Sequence, residues 1–202
     1  MRLLLAFSLF ALAASGDEIQ VFGRKWTVPA AADWKVDAGP GGEVLRLAAP
    51  RGPLPGARRP IQFALADTAS PGRVTVEADM RPTGGSLSLL IIFAYRDAGH
   101  FDYAHVSRDT AGKEPHHNGI FHVYGGERVR ISPERGPSGF DQSDRWRHVV
   151  LVYDPGSGVV RVTVDGIAIP ALEAVDVSLG AGRVGIGSFD ETGEFRNVRI
   201  GP

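Results

Sequence analysis

The sequence of 202 residues contains no cysteine, so neither disulfide bonds nor thiolate metal ligands are available to it. It also lacks an excess of one charge: 22 lysines and arginines face 23 aspartates and glutamates, for a formal net charge of -1. Basic and acidic residues are interspersed, which argues against nucleic acid as a partner. Glycine-rich phosphate loops and the Gly-x-Ser-x-Gly motif of serine hydrolases are missing too. The fold must therefore be stabilised by its apolar core.

The N-terminus carries the pattern of an export signal, MRLLLAFSLFALAASG. Arg2 precedes an apolar run that is too short to span a bilayer as a stable helix, and Ala11 and Ala13 satisfy the small-x-small cleavage rule. We expect residues 1–16 to be a signal peptide and residues 17–202 to form one secreted or periplasmic domain. No later apolar run reaches spanning length, so no membrane span is predicted.

Helical periodicity is scarce, whereas strand patterns are frequent. RVTVEADMR alternates apolar and polar residues, as a strand with one buried face does, and SLLIIFAY is continuously apolar, as a strand covered on both faces is. RHVVLVY and VVRVTVDG flank a turn at 154–158, and the prolines of residues 48–60 predict a loop. Many short strands joined by glycine-rich turns predict an all-β, two-sheet antiparallel jelly roll.

Three stretches also resemble a known superfamily. FAYRDAGHFDYAHVS looks like paired strands of concanavalin A-like lectin/glucanase domains, and DRWRHVVLVYDPGSGVVRVTVDG is similar to the laminin-G-like pattern. GRVGIGSFDETGEFRNVRI resembles the end of secreted bacterial domains grouped with 3-keto-disaccharide hydrolases. The resemblance covers roughly residues 26 to 200 and implies a concanavalin A-like sandwich. It specifies function poorly, because this fold carries lectins, adhesion modules and glycosidases.

Five of the six histidines lie between His100 and His122. If the strands on either side of the loop 108–118 form a hairpin whose paired residue numbers sum to 227, Tyr103, His105, His122 and Tyr124 share one face. We expect this aromatic and imidazole patch to bind a sugar, because the rings stack on apolar sugar faces and the polar atoms bond hydroxyls. A merely solvated or covered surface is the main alternative.

A zinc site is a further alternative, with His105 and His122 as two ligands. Zinc needs three or four ligands in a defined geometry, and the sequence offers no clear third one. His116 and His117 are adjacent in a polar loop and seldom point at one ion together. We therefore expect no metal or other cofactor at the histidines, although DETGEF could hold a structural calcium through Asp190, Glu191 and Glu194.

Glu77 and Asp79 are weak candidates for catalysis. They share a strand face, and residues two apart on a strand fall near the 5 to 9 Å separation, roughly, of glycosidase carboxyl pairs. The laminarinase branch of the superfold has Glu-x-Asp-x-Glu, but Arg81 occupies the third position here, so an acid is missing. Arg81 is expected to pair with Asp79 or Glu77 on the sheet surface, if these residues are structural.

Arg96 completes the candidate ligand-binding residues. Its guanidinium has the donors to bind a ligand carboxylate or hydroxyl, or else it forms a salt bridge with Asp97 or Asp102. Taken together, the sequence predicts a carbohydrate-binding domain. The alternatives are a glycoside hydrolase or 3-keto-glycoside cleaving enzyme, and an adhesion or protein-interaction module. The oligomeric state is not predicted.

Overall fold

The computed structural model of the protein describes residues 16–52, 58–85, 87–108, 116–141 and 143–202. The predicted signal peptide, apart from Gly16, lies outside the described residues. The middle parts of the two predicted loops, 53–57 and 109–115, lie outside them as well. Within the described residues, no helix is long and apolar enough to cross a membrane.

The described residues form short antiparallel strands and one turn of 3-10 helix, Ala31–Asp33. In chain order the strands are β1 (Asp17–Val21), β2 (Arg24–Val28), β3 (Trp34–Gly39), β4 (Gly42–Leu47), β5 (Gln62–Ser70), β6 (Val74–Pro82), β7 (Ser88–Asp97), β8 (His100–Ser107), β9 (Gly119–Tyr124), β10 (Glu127–Arg130), β11 (Arg147–Asp154), β12 (Val159–Val164), β13 (Ile167–Val175), β14 (Gly182–Ser188) and β15 (Gly193–Gly201).

These strands make two sheets. The eight-stranded sheet has the order β1-β2-β5-β14-β7-β8-β9-β10, and the seven-stranded sheet has the order β13-β12-β11-β6-β15-β4-β3. Neighbours in sequence are often not neighbours in a sheet, because the chain crosses between the sheets several times, as in a jelly roll. The predicted all-β, two-sheet antiparallel sandwich is confirmed.

The main core lies between the inner faces of the two sheets. On β6 the predicted alternation is confirmed: Val74, Val76, Ala78 and Met80 are buried there, and the residues between them are partly exposed. The core also includes Leu89, Ile91 and Phe93 of β7 together with Trp26, Leu45, Leu151 and Phe195. Without disulfides, this buried apolar surface supplies most of the stability of the fold.

A second apolar layer covers the outer face of the eight-stranded sheet. It consists of Phe63, Leu65, Leu90, Ile92, Phe101, Tyr103, Phe121 and Val123. β7 therefore contributes to both layers: Leu89, Ile91 and Phe93 face the core, and Leu90 and Ile92 face outward. After Phe93 the strand is irregular and the alternation shifts, so that Ala94 joins the core and Tyr95 packs on the outer layer. This confirms the prediction that the continuous apolar run of β7 is covered on both faces.

The pairing of β8 with β9 corrects the predicted patch. Asp102 lies opposite His122 and Tyr103 lies opposite Phe121, so paired residue numbers sum to 224 rather than 227. A difference by an odd number exchanges the faces of one strand relative to the other. Tyr103 and His105 thus lie on the outer face of the sheet, while His122 and Tyr124 lie on the opposite face. The prediction that these four residues share a face is wrong.

Candidate functional site

A cavity of about 320 Å³ opens on the outer face of the eight-stranded sheet. Its lining combines cationic, imidazole, aromatic and acidic side chains: Arg58, Ser88, His105, His116, His117, Arg128, Phe189, Asp190 and Glu191. β7, β8 and β10 supply Ser88, His105 and Arg128, and the turn after β14 supplies the last three. Of the predicted ligand-binding residues, only His105 lines this cavity directly.

His105 is almost completely buried in the cavity wall, with 2% of its surface exposed. Its Nδ1 lies 3.3 Å from the carbonyl oxygen of His116, and a carbonyl only accepts hydrogen bonds, so we assign the proton to Nδ1. Nε2 then carries a lone pair, and it has no hydrogen-bond partner among the described residues. Burial lowers the pKa of His105 well below its usual value, and the nearby His117 and Arg128 lower it further. The imidazole is therefore a neutral acceptor.

Arg128 is held between two aromatic rings. Its guanidinium carbon lies 5.0 Å from the ring centroid of Phe121 and 4.5 Å from that of Phe189. Nη1 donates to the hydroxyl of Tyr103 at 3.0 Å. Burial raises the pKa of Tyr103 to about 12, although Arg128 opposes that effect, so the hydroxyl stays protonated. Tyr103 does not line the cavity itself, but its hydroxyl positions Arg128, which does.

Two carboxylates border the same cavity. Oε2 of Glu191 accepts hydrogen bonds from the backbone N–H and the hydroxyl of Ser88, both at 2.6 Å. Asp190, next to it, is exposed. Glu194, the third residue of the predicted calcium site, binds Arg46 and Arg81 instead. Ligand atoms of Asp190, Glu191 and Glu194 are not gathered within 4.8 Å of one another, so these described residues do not form an oxygen cage.

On the inner face of the eight-stranded sheet, three titratable residues form a separate cluster. Nδ1 of His122 lies 2.7 Å from Oδ1 of Asp102 and 2.9 Å from Oδ2 of Asp176. Asp176 follows β13 of the seven-stranded sheet, and β13 packs against β9. We call these three residues the Asp–His–Asp cluster. The sequence indicated Asp102 only as a possible salt-bridge partner of Arg96, and no pattern near Asp176 indicated a functional role.

The remaining predicted ligand-binding residues are placed elsewhere. Nε and Nη2 of Arg96 donate to the carbonyl oxygen of Leu179, at 3.0 and 2.6 Å. Neither Asp97 nor Asp102 is its salt-bridge partner. Tyr124 is 66% exposed and makes an edge contact with the ring of His100. Neither Arg96 nor Tyr124 lines the cavity that contains His105.

Glu77 and Asp79 lie on the outer face of the seven-stranded sheet, and cationic side chains lie beside both carboxyl groups. Asp79 accepts hydrogen bonds from His148 at 3.0 Å, Arg196 at 3.2 Å and Asn197 at 2.8 Å. Burial favours a higher pKa for Asp79, but together these hydrogen bonds lower it, so it is a paired anion. Glu77 lies 4.0 Å from Arg199.

Arg81 differs from its expected pairing. It binds the buried carboxylate of Glu194 on β15, the strand paired with β6, and not Asp79 or Glu77 on its own strand. Arg46 binds the other oxygen of Glu194 at 2.9 Å. The position that would carry an acid in the laminarinase motif therefore belongs to an ion-pair network between strands.

Comparisons with known proteins bear on the fold. No family model matches the chain, and no curated protein sequence matches it. The carbohydrate binding module CBM66 from Bacillus subtilis superposes with a TM-score of 0.60 and 18% identity, over 88% of this chain and 95% of that one. A protein of Parabacteroides distasonis, named provisionally as a glycosyl hydrolase, superposes with a TM-score of 0.51 and 11% identity, over 85% of this chain and 90% of that one. The predicted concanavalin A-like sandwich is thereby confirmed as the fold.

Proposed function

We propose that the protein binds carbohydrate in the outer-face cavity that His105, Arg128 and Phe189 line. The observation that carries the proposal is that Nε2 of His105 has no hydrogen-bond partner in the part of the chain that the structure describes. A buried acceptor without a partner is unfavourable, and a ligand hydroxyl that donates to it removes that cost. Sugars are rich in such hydroxyls.

The other lining groups complement a sugar in the same way. The ring of Phe189 gives an apolar surface beside polar groups, the combination that suits a sugar ring. The guanidinium of Arg128 uses one nitrogen for Tyr103, which leaves other N–H groups on this fork of five donors. A small concave site of this kind fits a single sugar unit better than it fits a protein surface. The similarity in fold to a carbohydrate binding module from Bacillus subtilis is consistent with this proposal.

Catalysis is the second candidate, because the carboxyl groups of Asp190 and Glu191 border the same cavity. Glycosidases use two carboxyl groups that flank the scissile bond. Glu191 is engaged by Ser88, however, which favours a positioning role for this carboxylate over proton transfer. We also infer, from the N-terminal pattern of residues 1–16, that the protein acts outside the cytoplasm.

A glycan array on residues 17–202, followed by calorimetric titration of any hit, tests the proposal. Arg58→Ala and His117→Ala remove groups at the cavity rim and should weaken binding by roughly tenfold or more through lost hydrogen bonds. Arg161→Ala is the matched control, because Arg161 is an exposed arginine on the seven-stranded sheet. Equal affinity of the rim variants and the control would contradict binding in this cavity, as would the absence of any glycan ligand.

The catalytic alternative is tested with the same glycans. A reducing-end assay detects hydrolysis, and Asp190→Asn and Glu191→Gln should then abolish product formation while binding persists. Binding without product in the wild type supports a purely binding domain.

A further inference from the structure

We propose that the Asp–His–Asp cluster of Asp102, His122 and Asp176 binds a divalent transition-metal ion, with Zn²⁺ as the expected occupant. One ligand atom from each residue lies within 4.8 Å of the others. The residues come from β8, β9 and the end of β13, so an ion there would join the two sheets. The cluster lies on the opposite face of the eight-stranded sheet from the cavity, and the inference does not rest on the proposed function.

Asp102 provides the observation that points to a ligand. Its side chain is 1% exposed, and its Oδ1 contacts His122, but Oδ2 has no hydrogen-bond partner among the described residues. Both oxygens belong to one carboxyl group, so Oδ2 lies beside the same cluster. Buried carboxylate oxygens normally have partners, and an unpaired one is costly. A metal ion bound by this carboxylate would satisfy it.

Charge balance favours the same conclusion. Two carboxylates with a protonated His122 leave one net negative charge, in a place where the side chains of His122 and Asp176 are only 16% and 14% exposed. With a neutral imidazole, a divalent ion balances both carboxylates. The cluster is therefore a buried acidic site whose charge a divalent ion would balance.

The donor types select the metal. Calcium and magnesium prefer ligand sets made only of oxygen, whereas imidazole with carboxylates suits zinc and its neighbours in the first transition row. Zinc lies about 2.0–2.2 Å from such donors, so the present contacts of 2.7 and 2.9 Å need to widen by less than about 1 Å. The structure thus supplies the two further ligands for His122 that the sequence left unassigned.

Calorimetric titration of the untagged protein, first dialysed against EDTA, tests the inference. We expect ZnCl₂ to bind at about one ion per chain and to raise the melting temperature, and CaCl₂ and MgCl₂ to do neither. Asp176→Asn should weaken zinc binding by roughly tenfold or more, because it removes one charged ligand. Asp97→Asn is the matched control: Asp97 contacts Nδ1 of His100 at 2.8 Å, but this pair is exposed, and the described residues give it no third ligand.

Two results would overturn the inference. One is a wild type that shows no saturable zinc binding, an outcome that does not depend on whether any variant folds. The other is a loss of affinity in Asp97→Asn as large as that in Asp176→Asn, which would assign the ion to surface histidines.

Discussion

The buried imidazole of His105 should make a contribution to the stability of the protein that depends on pH, and His105→Gln should remove that contribution. In the unfolded chain His105 is hydrated and becomes protonated near a pKa of about 6.5. In the folded protein, burial lowers the pKa of His105 far below that value. Protons therefore bind the unfolded state preferentially as the pH falls.

The direction and size of this change in the free energy of unfolding follow from the linkage between proton binding and folding. A group whose pKa is lower in the folded state contributes stability that is present above the unfolded pKa and is lost as the pH falls below it. Because the folded pKa of His105 lies well below the unfolded one, the free energy of unfolding should fall by about 2 kcal/mol between pH 7 and pH 5 through His105 alone. Because the His105 side chain is almost completely buried, solvent does not screen this effect appreciably.

Urea denaturation followed by tryptophan fluorescence at pH 5, 6 and 7 measures this term. The side-chain amide of His105→Gln keeps a donor for the carbonyl of His116 but does not titrate. The stability difference between wild type and this variant should therefore shift by about 2 kcal/mol in favour of the variant from pH 7 to pH 5. His116→Gln, which keeps the accepting carbonyl and removes an exposed ring, is the control and should follow the wild type. Parallel pH profiles for the wild type and His105→Gln would refute the reasoning.

Three further predictions concern other parts of the chain. Tyr103→Ala should destabilise the fold by about 3–5 kcal/mol, because Tyr103 is fully buried, whereas Tyr124→Ala should change the stability by less than about 0.5 kcal/mol, because Tyr124 is exposed. Similar melting curves for the two variants would contradict this difference in burial. Glu194→Gln should cost about 1–3 kcal/mol in chemical denaturation, since a buried carboxylate that binds two arginines is lost. Protein exported by the native host should begin near Asp17, and N-terminal sequencing that still finds Met1 would contradict the signal peptide.

The sequence was sufficient for most of the sandwich, because alternation and turn chemistry are local. The apolar positions of β6 were readable from their period of two, and the turn at 154–158 joins β11 to β12 as expected. The continuous apolar run of β7 indicated burial on both faces, and two apolar layers indeed contact it. Motifs in the second half of the chain were specific enough to indicate the concanavalin A-like fold.

The site was decided by the tertiary structure, and the physical reason is register. Alternation within β8 and within β9 groups residues on each strand, but it does not fix which group of one strand faces which group of the other. The observed pairing places His122 with Asp102 instead of with His105. Asp176 joins them only because β13 of the other sheet packs on β9, a contact between residues more than fifty positions apart. Local patterns thus determined the strands of this protein, whereas the relation between strands determined which side chains meet.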